Sequence, residues 1–184
     1  MKDLLALDPG LNHAGLALFY GGELHYAWTI NPKNTLSDVQ GWRAIGDMLA
    51  TTLHASTLPY PCELAYEMPQ LIGGWQKGDQ NAILQVAGAA GTICERLRPW
   101  LIPDSAPIAV RPAEWTKSRP KKANHLRMWG RLTLVEQCRL AESLALSIDT
   151  LFACIRYGDE ADLEHALDAV CIGLFALGRF DRET

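Results

Sequence analysis

Short apolar runs separated by turn residues open the chain and predict strands. The run over residues 3–8 ends at Asp8-Pro9-Gly10, where proline cannot donate a ladder hydrogen bond and glycine frees the backbone. Ala14–Tyr20 and residues 23–29 read as a second and a third strand, and Gly21-Gly22 between them is typical of a hairpin turn. We therefore predict three antiparallel strands at the N-terminus.

Apolar residues at helical spacing follow, and short strands interrupt them. Ser37 is a candidate N-cap, and Thr133 with Glu136 matches a capping box. The remaining predicted elements are a helix over residues 37–52, a strand over 62–67, a helix over 80–97, a strand over Ile108–Val110, an irregular basic segment over 111–124, a helix over 133–155 and a final helix over 162–177. This order predicts one α/β domain over residues 1–184, with a mixed five-stranded sheet flanked by helices.

The composition is that of an ordinary globular protein. The chain has 184 residues, of which 48% are hydrophobic and 21% are charged, so a core of normal size can form without disulfides. Its five cysteines include no C-x-x-C pair, which argues against a zinc knuckle and favours a reducing compartment. The N-terminal apolar run is too short for a secretory signal, and no stretch reaches the ~18–20 uncharged residues of a membrane helix. We therefore expect a cytoplasmic protein with no membrane partner.

Charge is unevenly distributed along the chain, although the net charge is only −4. Residues 111–131 contain seven basic side chains and one acid, whereas residues 149–168 contain six acids and one arginine. A basic segment that grips phosphate beside an acidic cluster that holds cations would suit a nuclease. Solvated helix faces would give the same pattern, so charge alone does not decide between the two interpretations.

Two carboxylates end apolar strands. Asp8 follows Leu-Ala-Leu, and Glu67 follows Leu-Ala-Tyr. A half-buried carboxylate is costly without a cation or a donor, and carboxylate oxygens are the ligands that Mg²⁺ prefers. Asp8 also has an ordinary interpretation as the initiator of an Asp-Pro turn, and Glu67 as a strand-end charge. Each segment taken alone leaves both interpretations open.

Asp168 is the most informative acid. It lies in residues 166–173, which are otherwise apolar on nearly every face of the predicted helix, and an unpaired charge is rarely tolerated there. Glu164 and His165 precede it by four and three positions and share its helix face. A lone histidine is usually a core or surface residue, but this spacing favours a functional role, with Glu164 as a further candidate ligand or supporting residue.

Several of these segments, in this order, resemble the motifs of the RuvC-type Holliday junction resolvases. Residues 5–11, followed by Gly-Leu-Ala-Leu, are similar to the first motif of that family, and residues 65–67 to the second. Residues 81–91 are similar to the small-residue-rich helix that follows, and residues 165–169 to the last motif, whose first position is aspartate or histidine. The resemblance covers nearly the whole chain, and the ordered set is more specific than any one motif.

This resemblance implies a ribonuclease-H-like fold and a metal-dependent endonuclease acting on branched DNA. It implies a homodimer through the helix over residues 81–97, beginning near Asn81, whose two active sites nick opposing strands of a four-way junction symmetrically. The implied metal ligands and catalytic residues, with two Mg²⁺ per site or Mn²⁺ in their place, are Asp8, Glu67, His165 and Asp168; His165 would also take part in proton transfer. The expected DNA contacts are Lys117, Arg119, Lys121, Lys122 and Trp75.

Two departures from the family pattern concern DNA recognition. The loop after Glu67 lacks the aromatic that the family usually has soon after the glutamate, which leaves Trp75 as the ring available in that loop to stack on an opened base. Trp75 could equally pack on the loop or on a partner. Residues 132–156 are longer than the corresponding helix of the shorter bacterial members and are closer to phage-borne or plant-type relatives. Junction preference therefore stays open. We expect Trp115, in a Pro-x-x-Trp-x-Lys stretch, to lie in the core rather than on DNA.

Three other functions stay open. Asp8-Pro9-Gly10 is similar to the phosphate loop of actin-like sugar kinases and chaperone ATPases, but those proteins need a duplicated domain and a much longer chain. The related pre-ribosomal-RNA processing nucleases share the first motif and are typically shorter. A junction-binding protein without cleavage would also fit the basic segment, although the full set of candidate acids argues against it.

Overall fold

The three N-terminal strands form an antiparallel meander, as the sequence pattern predicted. The computed structural model describes residues 2–31, 39–55, 61–68, 79–117, 119–158 and 163–180. Strand β1 (Leu4–Pro9) pairs with β2 (Ala14–Tyr20), which pairs with β3 (Glu23–Ile30). Gly21 and Gly22 have φ angles of +57° and +82°, a conformation that glycine adopts without steric cost. The predicted hairpin turn is therefore confirmed.

Two parallel strands complete the predicted mixed sheet. β4 (Glu63–Glu67) lies beside β1, and β5 (Ile108–Val110) lies beside β4, which gives the order β3-β2-β1-β4-β5. Every residue of β1 is buried, because helices cover both faces of the sheet at this central strand. This double burial explains why the first apolar run does not alternate with polar residues.

Helices pack on the two faces of the sheet. α1 (Val39–Ala55) and α2 (Asp79–Leu97) contact each other and share a core with Leu5 and Leu7 on one face. The opposite face is covered by α7 (Glu164–Ala176), which contacts β1, β2 and β3. Within the described residues, none of the helices has the length and apolar character needed to cross a bilayer.

Most of the basic segment belongs to two helices, which corrects the prediction of an irregular stretch over residues 111–124. α3 (Pro112–Thr116) begins with proline at its first turn, and the Arg111 N–H donates to the Glu114 carboxylate at 2.7 Å. α4 (Lys121–Trp129) follows and buries four side chains against α6 (Ile148–Tyr157) and α7. Its low local hydrophobicity concealed a helix that tertiary burial stabilises.

The long helix predicted over residues 133–155 is two helices. Thr133 begins α5 (Leu134–Ser143), and Glu136 accepts from the Thr133 N–H at 2.9 Å, which confirms the capping box. The helix then stops before Ala145, whose φ is +56°. Ser147 caps α6 by accepting from the Thr150 N–H. Helical periodicity on both sides of this turn hid the break.

Candidate active site

Asp8 and Glu67 lie side by side at one edge of the sheet. β1 and β4 are parallel and pair Leu7 with Tyr66, so the next residue of each strand carries a carboxylate at the same edge. Burial, and next the negative charges of Asp8 and Asp168, together raise the pKa of Glu67 to about 8. Burial also raises the pKa of Asp8. The structure therefore crowds acidic groups at this edge.

α7 brings His165 to Asp8. The His165 Nδ1 lies 2.6 Å from the Asp8 Oδ2, and this hydrogen bond to a carboxylate raises the pKa of the imidazole. A Cβ on Gly15 would lie 1.8 Å from the His165 carbonyl oxygen, so only glycine in β2 allows the first turn of α7 to approach this closely. The Ala166 N–H donates to the Thr29 Oγ1 at 3.2 Å and fixes the same turn to β3.

Asp168 is buried one turn further along α7, and both of its oxygens receive donors from α4. The His125 Nε2 lies 2.8 Å from Oδ1, and the Lys121 Nζ donates to Oδ2 at 2.9 Å. Burial alone would raise the pKa of Asp168, but the hydrogen bond from His125 and the charge of Lys121 outweigh it and hold that pKa below its ordinary value. Asp168 is therefore an ionised carboxylate in a largely enclosed place.

Lys121 links two acids of α7. Its Nζ also donates to the Glu164 Oε1, and its charge acts on the carboxylates of Asp8 and Glu67. Burial opposes the charged form of Lys121, but Asp168 and Glu164 together hold its pKa above the ordinary value. The ammonium thus belongs to the same electrostatic cluster as the three acids.

His13 adds a second imidazole at the rim. Its ring stacks on that of His165, with centroids 5.5 Å apart and planes 10° from parallel. A Cβ on Gly10 would lie 3.3 Å from the His165 Cε1. The turn after β1 therefore contacts the His165 ring as well as carrying Asp8.

The four predicted ligands come together, whereas the predicted DNA contacts separate into two groups. Lys117, Arg119 and Lys122 are exposed around the connection from α3 to α4, but Lys121 points its ammonium into the carboxylate cluster. Trp75 lies outside the described residues. Trp115 is buried and packs edge-on against Phe180, in agreement with its predicted core position.

Two contributors to the cluster were missed from the sequence. His125 was hidden because it directly follows the segment predicted to be irregular, and no helix was predicted at its position. Once the segment is helical, Lys121 and His125 stand four positions apart on one face, which is the signal that could have identified them. His13 has no such signal, since its stacking depends on how α7 meets the β1–β2 turn.

Asp8 and Asp168 contact neighbouring imidazoles and the Lys121 ammonium, and Asp8 also forms a side-chain hydrogen bond with Glu67. In the part of the chain that the structure describes, no three histidine, cysteine, aspartate or glutamate side chains are arranged to hold a metal ion directly. The reason is visible in the contacts: Asp8 is turned to His165, and Asp168 is turned to His125 and Lys121. A cation that bound here would have to replace some of these contacts.

Comparison with known proteins gives a match in structure but not in sequence. No protein-family model and no curated protein matches the chain. Thermus thermophilus RuvC in complex with a Holliday junction substrate is similar in structure, with a TM-score of 0.59 and 15% identity over 96% of this chain and 94% of that chain. A second structure of Thermus thermophilus RuvC has a TM-score of 0.48 and 16% identity over 96% of this chain and 97% of that one. The predicted mixed α/β sheet is confirmed, and this chain has the ribonuclease-H-like fold of RuvC.

Proposed function

We propose that this protein is a metal-dependent, structure-specific DNA endonuclease that resolves Holliday junctions or other branched DNA by paired symmetric nicks. The observation that carries the proposal is the meeting of Asp8, Glu67 and Asp168, with His165, at one edge of the sheet. Several carboxylates at one point are what phosphodiester hydrolysis with divalent cations requires. The fold, shared with a protein solved on a Holliday junction substrate, supports DNA as the substrate class.

The donor set fits a hard divalent cation. Burial, together with the negative charges of Asp8 and Asp168, raises the pKa of Glu67 to about 8, so a bound cation would favour the ionised form of this carboxyl group. Oxygen-rich sites of this kind suit Mg²⁺, with Mn²⁺ as a substitute. We propose two ions per site, held by Asp8, Glu67, His165 and Asp168. When bound, such ions activate water and stabilise charge on the leaving oxygen.

A basic surface beside the cluster suits the DNA backbone. Lys117, Arg119 and Lys122 are exposed near the N-terminus of α4, and α4 itself contacts Asp168 through Lys121. Such phosphate contacts position a duplex without reading its sequence. We propose that these side chains hold DNA so that a phosphodiester lies over the carboxylates.

Paired nicks require two active sites, and α2 offers the surface for a homodimer. Leu84 is 70% exposed, and Ala87 and Gly91 continue the exposed face of this helix. A cavity of about 290 Å³ opens beside the same face, between Met68 and Cys94. An exposed apolar stripe next to a recess is typical of an association surface. We propose that two copies pair through residues 81–97.

Cleavage assays test the proposal directly. Four-way, forked and linear DNA are incubated with wild-type protein and with Asp8→Asn, in Mg²⁺ or in EDTA. We expect wild type to nick the four-way junction at symmetric positions in Mg²⁺ only, and Asp8→Asn to bind junctions while nicking at least about 100-fold more slowly, since a metal ion contributes several kcal/mol to this chemistry. A matched control is Glu63→Gln, which lies on the same strand as Glu67 but pairs with Lys2 at the surface.

The alternatives predict different results. Cleavage of linear duplex as fast as branched DNA would refute junction resolution but not nuclease activity. Binding of junctions without nicking in Mg²⁺ would indicate a junction-binding protein. A structured RNA incubated under the same conditions tests the remaining alternative, and its preferential cleavage would indicate an RNA-processing nuclease. If Asp8→Asn nicks as fast as wild type, the carboxylate cluster is not the active site.

A further inference from the structure

Lys121 occupies the position between the acids of α7 that a cation would take. Its Nζ donates at 2.9 Å to the Asp168 Oδ2 and also contacts the Glu164 Oε1. His125, one helical turn along α4, holds the other oxygen of Asp168. The Lys121 ammonium therefore places its positive charge where the carboxylates converge and does not extend away into solvent.

Lys121 and His125, the two donors on α4, differ in how readily each can move away from Asp168. The side chain of Lys121 is 56% exposed, whereas those of His125 and Asp168 are 1% and 3% exposed. An exposed lysine can swing its flexible stem into water at little cost, since its ammonium is strongly hydrated there. A buried imidazole has no such alternative. Lys121 is the exchangeable donor of Asp168, and His125 is the fixed one.

We propose that Lys121 is the resident cation of the metal-free site, and that a divalent ion binds by displacing its Nζ from Asp168 and Glu164. This inference rests on the proposed function in taking the carboxylate cluster as the cation site. An ammonium offers one charge and hydrogen bonds to two of the acids, whereas a divalent ion offers two charges and can bind several oxygens at once. Lys121 therefore lowers the apparent affinity for the divalent ion by competing for the same oxygens, and it stabilises the cluster when no ion is bound.

Calorimetric titration with Mn²⁺ and Ca²⁺, without DNA, tests this competition. We expect Lys121→Met to bind both ions about tenfold more tightly than wild type, which is the scale of one charge-assisted hydrogen bond. Lys121→Gln should change affinity in the same direction. Lys122→Met is the matched control, because it removes the same charge from the next position of α4, and its cation affinity should equal that of wild type.

A second measurement follows the lysine itself. Acetylation of Lys121 by a small reagent, read by mass spectrometry, should be slow in EDTA and several-fold faster in Ca²⁺, because displacement frees the ammonium from its acidic partners. Lys122 should react at the same rate in both conditions. Near-ultraviolet circular dichroism of each variant establishes that it is folded before its affinity is compared.

The outcomes separate this inference from the proposed function. If wild type binds cations and folded Lys121→Met binds them equally or more weakly, Lys121 does not compete, while the cleavage proposal stands. If neither protein binds Mn²⁺ or Ca²⁺, both proposals fail. Tighter binding by Lys121→Met but not by Lys122→Met supports the displacement.

Discussion

Glu67→Gln should stabilise the metal-free protein, although it removes a proposed metal ligand. The pKa of Glu67 is raised from an ordinary value of 4.5 to about 8, first by burial and then by the charges of Asp8 and Asp168. A carboxyl whose folded-state pKa is raised is destabilising once it must ionise. The free energy of unfolding should therefore fall as pH rises from about 4.5 to about 8, and the loss is complete above that range.

The size of the effect follows from the same numbers. Each unit of pKa difference is worth about 1.4 kcal/mol, so the raised pKa sets an upper limit of roughly 5 kcal/mol. The cluster shares its protons among coupled acids, and Glu67 is partly exposed, which lowers the effective value. We expect Glu67→Gln to exceed wild type by about 2 kcal/mol at about pH 9 in EDTA, a rise of roughly 4–8 °C in Tm.

Urea unfolding in EDTA at about pH 5 and about pH 9 measures this difference, because the linear extrapolation reports the free energy of unfolding. Glu63→Gln is the control from the same strand, and its exposed pair with Lys2 at 2.9 Å should change stability by less than about 1 kcal/mol at either pH. Added Mg²⁺ should stabilise wild type more than Glu67→Gln. If Glu67→Gln is no more stable than wild type at the higher pH, the acids are not crowded and the reasoning is wrong.

Three further substitutions test other parts of the structure. Glu136 is a fully buried carboxylate, and its hydrogen bonds and ion pair to Arg179 hold its pKa at about 2 against the cost of burial. Urea unfolding at neutral pH should show that Glu136→Gln lowers the free energy of unfolding by about 3 kcal/mol. Since that pKa is depressed, the difference from wild type should vanish as pH falls from about 4.5 through about 2. Gly15→Ala should abolish nicking and lower the unfolding free energy by about 3 kcal/mol or more, because its Cβ would meet the His165 carbonyl at 1.8 Å. Ala145→Gly should raise the free energy of unfolding by about 1 kcal/mol, because Ala145 has a φ of +56°. The measurement is a higher Tm in thermal unfolding.

The central elements could be predicted because local signals and burial agree there. Apolar runs bounded by Pro9-Gly10 and Gly21-Gly22 specify β1 and β2, and their predicted bounds differ from the observed ones by one residue at most. The predictions of a single domain over residues 1–184, a cytoplasmic location and a homodimer stay predictions. Local signals were weakest in the basic segment. α4 is helical there because Met128 and Trp129 are buried, and the sequence pattern of α4 does not indicate that burial.

The sequence by itself determined which acids are costly to bury and where strands end, because these follow from residue type and period along one segment. The sequence therefore identified Asp8, Glu67 and Asp168 as candidate site residues without knowledge of the distances between them. Only the tertiary structure decided their partners. Lys121 and His125 meet Asp168 across 47 and 43 positions of sequence, because α4 packs against α7. Contacts between separate elements depend on how those elements pack, and no local pattern encodes that geometry.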